Sequence, residues 1–293
     1  MTAMTNQLPA QWTLSAFTDE AGTALDVQIE AAQKAGLRFV DLRSLDGYTI
    51  ADFPLEQAAK ARRKLDDAGL QVGMFGSPIG KTDIANDFAG EVERLRRIAR
   101  LAPLLGGNAV RIFSFYNAHG APKSQWEEVS LERLSKLRDE ARTLGLVLFH
   151  ENERHIFGDC SADVAKIAAL RDDHLRTIFD FDNFNQGGED VWTVWQLLHE
   201  VTDAFHLKDS TKELQHVPVG QGNGQVERIL QDALRRGWRG PLTVEPHLSH
   251  SGAVAATGPG GTENEAYSKM PLATSFHLAV AEARRLLAGL SSG

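Results

Sequence analysis

Short apolar runs alternate with amphipathic stretches along almost the whole chain. Trp12 to Thr18 is apolar-rich and ends at Asp19-Glu20; Leu25, Ile29, Ala32 and Ala35 then recur at helical spacing, and Gly36 closes that segment. The couplet repeats. Further strands are predicted at Arg38–Arg43, Leu70–Phe75, Asn108–Ser114, Leu146–Phe149, Leu175–Asp180, Thr202–His206 and Leu242–Glu245. Helices are predicted at Pro54–Ala68, around Val92–Ala102, at Ser124–Leu144, Val164–Leu170, Val191–His199 and Val226–Arg236, and at Met270–Leu290. About eight strands interleaved with about eight helices, and no linker between halves, predict a parallel sheet closed into a single (β/α)8 TIM barrel. One domain is expected over residues 1–293, with 1–10 flexible.

One segment breaks the rhythm. His247 to Lys269 carries Gly252, Gly258, Pro259, Gly260 and Gly261 without periodicity. A long loop after the eighth strand hangs over the carboxyl end of the barrel, and we expect it to act as a lid or a subunit contact.

The polar residues that terminate the last four strands are Glu151, Asp180, His206 and Glu245, spaced 29, 26 and 39 residues apart. In a barrel, consecutive strand ends line one rim, so these side chains meet over the axis. Any one of them alone reads as a solvated or capping residue. Three carboxylates crowded together repel unless a cation sits between them, and three hard oxygens with one imidazole suit Mn²⁺, Mg²⁺, Co²⁺ or Zn²⁺. A single divalent ion is therefore the expected cofactor. Parity leaves Asp182 and Glu153 as alternatives, and the residue nearer each strand is preferred. His150 has the opposite parity and reads as a packed histidine. Arg111 reads either as a structural ion pair or as a substrate group.

Composition adds bounds. The net charge of −8 argues against duplex nucleic acid as a partner, and no apolar run reaches the length of a membrane span. Cys160 is the sole cysteine, which excludes an internal disulfide, and the polar start shows no secretion signal; a cytoplasmic protein is expected.

At these residues the chain resembles the xylose-isomerase-like barrel superfamily, which includes tagatose/psicose 3-epimerases, hydroxypyruvate isomerases, inosose dehydratase and the endonuclease IV repair enzymes. The resemblance runs from Phe17-Thr-Asp-Glu20 to the last helix. Its specific pieces are Glu151-Asn152-Glu153, Phe179-Asp-Phe-Asp-Asn-Phe184, Phe205-His-Leu-Lys-Asp209, Val217-Pro-Val-Gly-Gln-Gly222 and Val244-Glu-Pro-His247. Ser77-Pro-Ile-Gly-Lys81 resembles a loop of the sugar-phosphate isomerase/epimerase branch. The family's metal ligands fall on Glu151, Asp180, His206 and Glu245, and in the epimerases the two glutamates also move the proton. Asn183 stands where many members carry histidine, which leaves a single-metal site intact and puts epimerase specificity in doubt.

The resemblance implies a metal-dependent sugar or sugar-phosphate isomerase or epimerase working through a metal-stabilised enediolate, with Glu151 and Glu245 as acid and base. Lys208, His216, Lys81 and Arg43 are candidates to orient substrate hydroxyls or a phosphate. The bland alternatives are rim salt bridges for Lys208 and Arg43, and solvated loop residues for His216 and Lys81. An inosose-type dehydratase is the main rival, since loss of a β-hydroxyl starts from the same intermediate. A repair endonuclease fits poorly: Met74-Phe75-Gly76 and Phe113-Ser114-Phe115 hold no histidine, and Leu214 replaces a needed aspartate. A non-catalytic sugar-binding barrel is disfavoured by the intact ligand set. Gly220-Gln-Gly-Asn-Gly224 lacks the strand and helix context of a dinucleotide fingerprint. Expected partners are a small sugar, polyol or sugar phosphate, with homo-oligomerisation open.

Overall fold

The computed structural model describes residues 9–249, 255 and 262–290. Its central sheet contains β1 (Trp12–Ala16), β2 (Phe39–Leu42), β3 (Gln71–Phe75), β4 (Ala109–Ile112), β5 (Val147–Glu151), β6 (Leu175–Asp180), β7 (Ala204–Leu207) and β8 (Gly240–Val244). Neighbours pair in parallel from β2 through to β8, and β8 pairs with β1 in the register Trp12–Gly240 to Ala16–Val244. A parallel bridge between Phe17 and Asp41 joins β1 to β2 and closes the cylinder. This is the expected (β/α)8 barrel, with strand limits shifted by at most two residues.

A helix follows each strand: α1 (Leu25–Lys34), α2 (Leu55–Asp67), α3 (Ala89–Leu105), α4 (Lys123–Leu144), α5 (Ser161–Ala168), α6 (Val191–Leu198), α7 (Val226–Arg235) and α8 (Leu272–Leu290). The helices form the outer layer because each carries one apolar face. In α7, Val226, Ile229, Leu230 and Ala233 are buried at helical spacing. The helix α4 ends at Gly145, whose φ of 71° lets the chain turn directly into β5. Among the described residues no helix is long and apolar enough to cross a membrane.

Strand parity sets the interior. Phe149, Ile178 and Ala204 each lie two residues before a strand-end acid or histidine, and with Met74 they pack into a small apolar cluster separate from the large outer core. Thr243, two before Glu245, instead donates to Asp41 Oδ2 at 2.6 Å and meets Ser15 Oγ at 3.1 Å. The barrel floor is thus half apolar and half hydrogen-bonded, and the rim above it is polar. His150, as expected, is buried away from that rim. A Cβ added to Gly158 would come 2.6 Å from its Cε1.

The glycine run after β7 has a structural purpose. Asp209 accepts backbone N–H bonds from Gly220, Gly222 and Gly224 at 2.9–3.0 Å, so the loop closes around a buried carboxylate and offers no phosphate cradle. A Cβ on Gly222 would fall 2.3 Å from Asp209 Oδ1 and 2.5 Å from the Ser210 carbonyl oxygen. Gly222→Ala is therefore expected to destabilise the fold by about 2 kcal/mol, as overpacked sites do. Urea denaturation of variant and wild type measures it.

Of the expected lid, His247–Ser249 are buried, Thr262 N–H donates to the Leu214 carbonyl at 2.8 Å, and Asn264 Nδ2 donates to the His216 carbonyl at 3.0 Å. Both ends of the loop are fastened at the same rim. Residues 250–254 and 256–261, where most of its glycines fall, lie outside the described residues, as do 1–8 of the expected flexible start.

Candidate metal centre

Glu151, Asp180, His206 and Glu245 converge. Each offers one ligand atom, all four atoms lie within 4.8 Å of one another, and all four residues are buried. Asp180 and His206 are register partners on β6 and β7, and Glu151 ends β5. Glu245 follows β8, its N–H bonded to the Leu207 carbonyl at 3.2 Å. The inner residue of each pair is the one in the cluster, and Asp182 and Glu153 point elsewhere. Asp182 meets Ser210 Oγ, Gln186 Nε2 and His216 Nε2, while Glu153 pairs with Lys81 Nζ at 3.1 Å.

The ligands are held from outside. Asn152 clamps Asp180 at two points, accepting from its N–H at 2.8 Å and donating to its carbonyl at 3.1 Å. Asp180 Oδ1 caps the short helix Phe181–Gln186 through Asn183 N–H at 2.8 Å, which leaves Oδ2 beside Lys208 Nζ at 3.1 Å. Asn183 in turn donates to the Asn152 carbonyl and accepts from Lys208 at 2.9 Å. The asparagine in the position of a family histidine is thus a strut for Lys208.

Charge is balanced tightly. His206 Nδ1 stands 2.6 Å from Glu151 Oε1 and 3.1 Å from Glu245 Oε2. Arg111 Nη1 lies 3.2 Å from Glu151 Oε2 and 3.4 Å from Glu245 Oε1. Arg43 donates to Glu245 Oε1 at 3.0 Å and grips Asp19 with two nitrogens at 3.0 Å each. Burial alone would raise Glu151, but His206 and Arg111 outweigh it and hold the carboxyl down, to about 2. Burial would lower His206, yet Glu151 and Glu245 push it up to about 10. Asp180 is raised well above the usual carboxylate range by burial and by Glu151, against the pull of Lys208.

The donor set fits a divalent ion. Glu151 Oε2, Asp180 Oδ2 and His206 Nε2 accept or donate no hydrogen bond although buried, and three carboxylates with one imidazole suit a hard or borderline dication. Such an ion would be held by Glu151, Asp180, His206 and Glu245 and would supply the positive charge that three buried carboxylates require. Two smaller groups with ligand spacing exist among the described residues. Glu20, Glu245 and His247 share a ligand with the first, and Arg43 bridges the two glutamates; in Asp159, Cys160 and Asp163, the last is already met by Lys123 and Lys166.

The four expected substrate residues divide. Lys208 and His216 are buried at the site, so the solvated reading of His216 is wrong: its ring is enclosed by Asp182, Gln186 and His247. Arg43 is a buried clamp on Glu245 and the Asp19–Glu20 pair, which is the salt-bridge reading. Lys81 is no solvated residue either; it pairs with Glu153 and lies over the Phe113 ring at 4.3 Å. Sequence reasoning left Arg111 undecided and passed over Glu20, Asn152 and His247 as site residues. Their signal was position: Arg111 lies one residue before the end of β4, Asn152 adjoins the end of β5, His247 lies three residues past β8 and Glu20 four past β1.

The comparisons agree with the fold. The family model for the xylose isomerase-like TIM barrel matches residues 29–266, and the chain belongs to that family. None of the curated proteins compared matches the sequence. Among solved structures, the IOLI protein with a bound zinc atom is similar at TM-score 0.71 and 15% identity, covering 94% of this chain and 98% of that one. D-psicose 3-epimerase, crystallised with D-fructose, gives TM-score 0.70 and 15% identity over 94% of this chain and 100% of that one. The probable 3-DHS dehydratase AsbF of Bacillus anthracis gives 0.67 and 16% over 84% of this chain and 97% of that one. At such identities the likeness is one of fold.

Calorimetric titration of the metal-stripped protein with Mn²⁺ is expected to give one site per chain. Asp180→Ala should weaken binding by more than about 100-fold, beyond the loss typical of an outer partner, with the circular dichroism spectrum unchanged.

Proposed function

We propose that the protein is a divalent-metal-dependent isomerase or epimerase acting on a sugar or sugar phosphate, and that residues 1–293 form one such domain. The observation that carries this reading is the buried cluster of Glu151, Asp180, His206 and Glu245 at the carboxyl rim of the barrel. A divalent ion held by those four residues would polarise the oxygens of an α-hydroxy carbonyl compound and acidify the C–H between them.

Glu151 and Glu245 are the acid/base pair of the proposal. Glu151 ends β5 and Glu245 follows β8, with β6 and β7 between them, and both meet His206 Nδ1. One carboxylate takes the proton from carbon and the other returns one. Arg111 reaches both glutamates, so the two share a counter-charge. Lys208, braced by Asn183, is placed to donate to a substrate oxygen. His216 serves on the loop side. Lys81 and Arg43 act one step back, by orienting Glu153 and Glu245. The site stands over an apolar cluster of Met74, Phe149, Ile178 and Ala204, which keeps water from reaching it through the barrel floor.

The rival reading is a dehydratase, which the same proton abstraction would begin; the fold shared with AsbF favours keeping it in the test. Its chemistry differs in outcome, because a β-hydroxyl leaves as water and the proton is not returned. A cytoplasmic enzyme without nucleic acid partners completes the proposal, in line with the net charge of −8.

The experiment is incubation with keto-sugars, inososes and their phosphates in D₂O with Mn²⁺. Deuterium entering the carbon beside the carbonyl, with recovery of an isomeric sugar, is the expected result. Glu151→Gln should lower that exchange by at least about 100-fold, the scale of a positioned acid/base. Appearance of an unsaturated or dehydrated product would give the site to a lyase, and no exchange with any compound would overturn the proposal.

A further inference from the structure

Beside the four-residue cluster stands a group of polar atoms that proton transfer does not use. His247 is 4% exposed, and its φ of 47° is a left-handed conformation that a residue with a side chain adopts at a cost. The backbone N–H of His247 donates to Glu20 Oε2 at 2.9 Å, which fixes the turn. Its ring meets that of His216 edge-on, with centroids 5.4 Å apart, and Nε2 lies 3.4 Å from Glu245 Oε1. Neither ring nitrogen of His247 has a hydrogen-bond partner, and neither has His216 Nδ1. Buried polar atoms are nearly always satisfied. His247 Nε2 faces Glu245 and Glu20, and the two open nitrogens that remain, Nδ1 of His247 and Nδ1 of His216, mark atoms that a bound molecule meets.

The charge around them limits what that molecule is. Seven carboxylates are buried at this rim: the three ligands, Asp19, Glu20, Glu153 and Asp182. Four cations face them, each within 3.2 Å of a carboxylate oxygen: Arg43, Lys81, Arg111 and Lys208. With every imidazole counted as neutral the formal surplus is three negative charges, and one remains after a dication is added. No lysine or arginine occurs in residues 1–8, 250–261 or 291–293. Arg154, half-buried at the edge, donates to Gln186 Oε1 at 2.8 Å. A phosphate monoester would add roughly two more negative charges to this surplus.

We infer that His247, with His216 opposite, reads the hydroxyl groups of an uncharged polyhydroxy ketone, and that the site rejects its phosphate esters. The inference rests on the isomerase reading above and narrows it. An imidazole nitrogen hydrogen-bonds a hydroxyl without adding net charge, which is what a rim already rich in acids permits. Two rings set edge-on present those nitrogens in different directions, so they distinguish hydroxyl configurations along a chain or ring.

The test uses the full-length Mn²⁺-loaded protein in D₂O with D-fructose, D-tagatose and an inosose, and with D-fructose 6-phosphate. Deuterium is expected to enter at least one unphosphorylated compound and to enter the ester at least about ten-fold more slowly. For the accepted compound, His247→Ala should raise KM about ten-fold with a smaller change in kcat, the scale of a lost hydrogen bond or two. Its Kd for Mn²⁺ should stay at the wild-type value, which also reports a folded site. His247→Asn keeps a donor and an acceptor and should recover part of the KM. An unchanged KM in both variants, preferred exchange into the ester, or Mn²⁺ affinity falling in step with KM would each overturn the inference and leave the isomerase reading standing. Absence of exchange by the wild type with every compound overturns the isomerase reading, and this inference with it.

Discussion

Three carboxylates buried within ligand distance of one imidazole cannot stand without positive charge, and most of the rim is built around that demand. Among the described residues the chain answers with Arg43, Arg111 and Lys208, all buried. None of the three is a loose surface charge. Arg43 spans from Asp19 to Glu245, Arg111 from Glu151 to Glu245, and Lys208 from Asp180 to Asn183. Arg43 and Arg111 each link side chains from different strand ends, and Lys208, just past β7, reaches the end of β6, so the ion pairs also fix where the strand ends stand. The cost of desolvating so many charges falls on the stability of the fold, and the apolar outer core has to offset it.

The same demand accounts for residues that looked incidental. Asn152 matters because it holds Asp180 by the backbone, leaving the carboxylate free to point inward. Asn183 matters because it fixes Lys208. Asp209 draws a glycine loop inward, and that loop follows directly from the hairpin carrying His216. The loop after β8 begins near His247, whose N–H is tied to Glu20, itself gripped by Arg43. From Glu245 to the start of that loop the contacts are continuous.

Much of this was legible in the sequence. Period and punctuation gave eight strands and eight helices, because a parallel barrel buries both faces of each strand and so writes short apolar runs between amphipathic helices. The four candidate ligands were legible for a related reason: a charged residue that ends such a run sits at the barrel mouth. Parity left Asp182 and Glu153 open, and nearness to the strand favoured Asp180 and Glu151. Partners that come from far along the chain were not legible. Nothing in the order of residues says that Arg43 reaches Glu245, 202 positions away, or that Lys81 meets Glu153. Loop residues such as His216 and Lys81 read as solvated because a loop's fold depends on tertiary contacts that leave no period. His247 escaped for the same reason, being one residue past a proline and outside any strand.

The account stands on one claim, that the four strand-end residues form a single divalent metal centre. Crystals grown with Mn²⁺ and measured at the manganese absorption edge test it most directly. The account predicts one anomalous peak per chain, about 2.0–2.4 Å from donor atoms of Glu151, Asp180, His206 and Glu245. A map with no peak at that point, or with its peak between Glu20 and His247 alone, would contradict it.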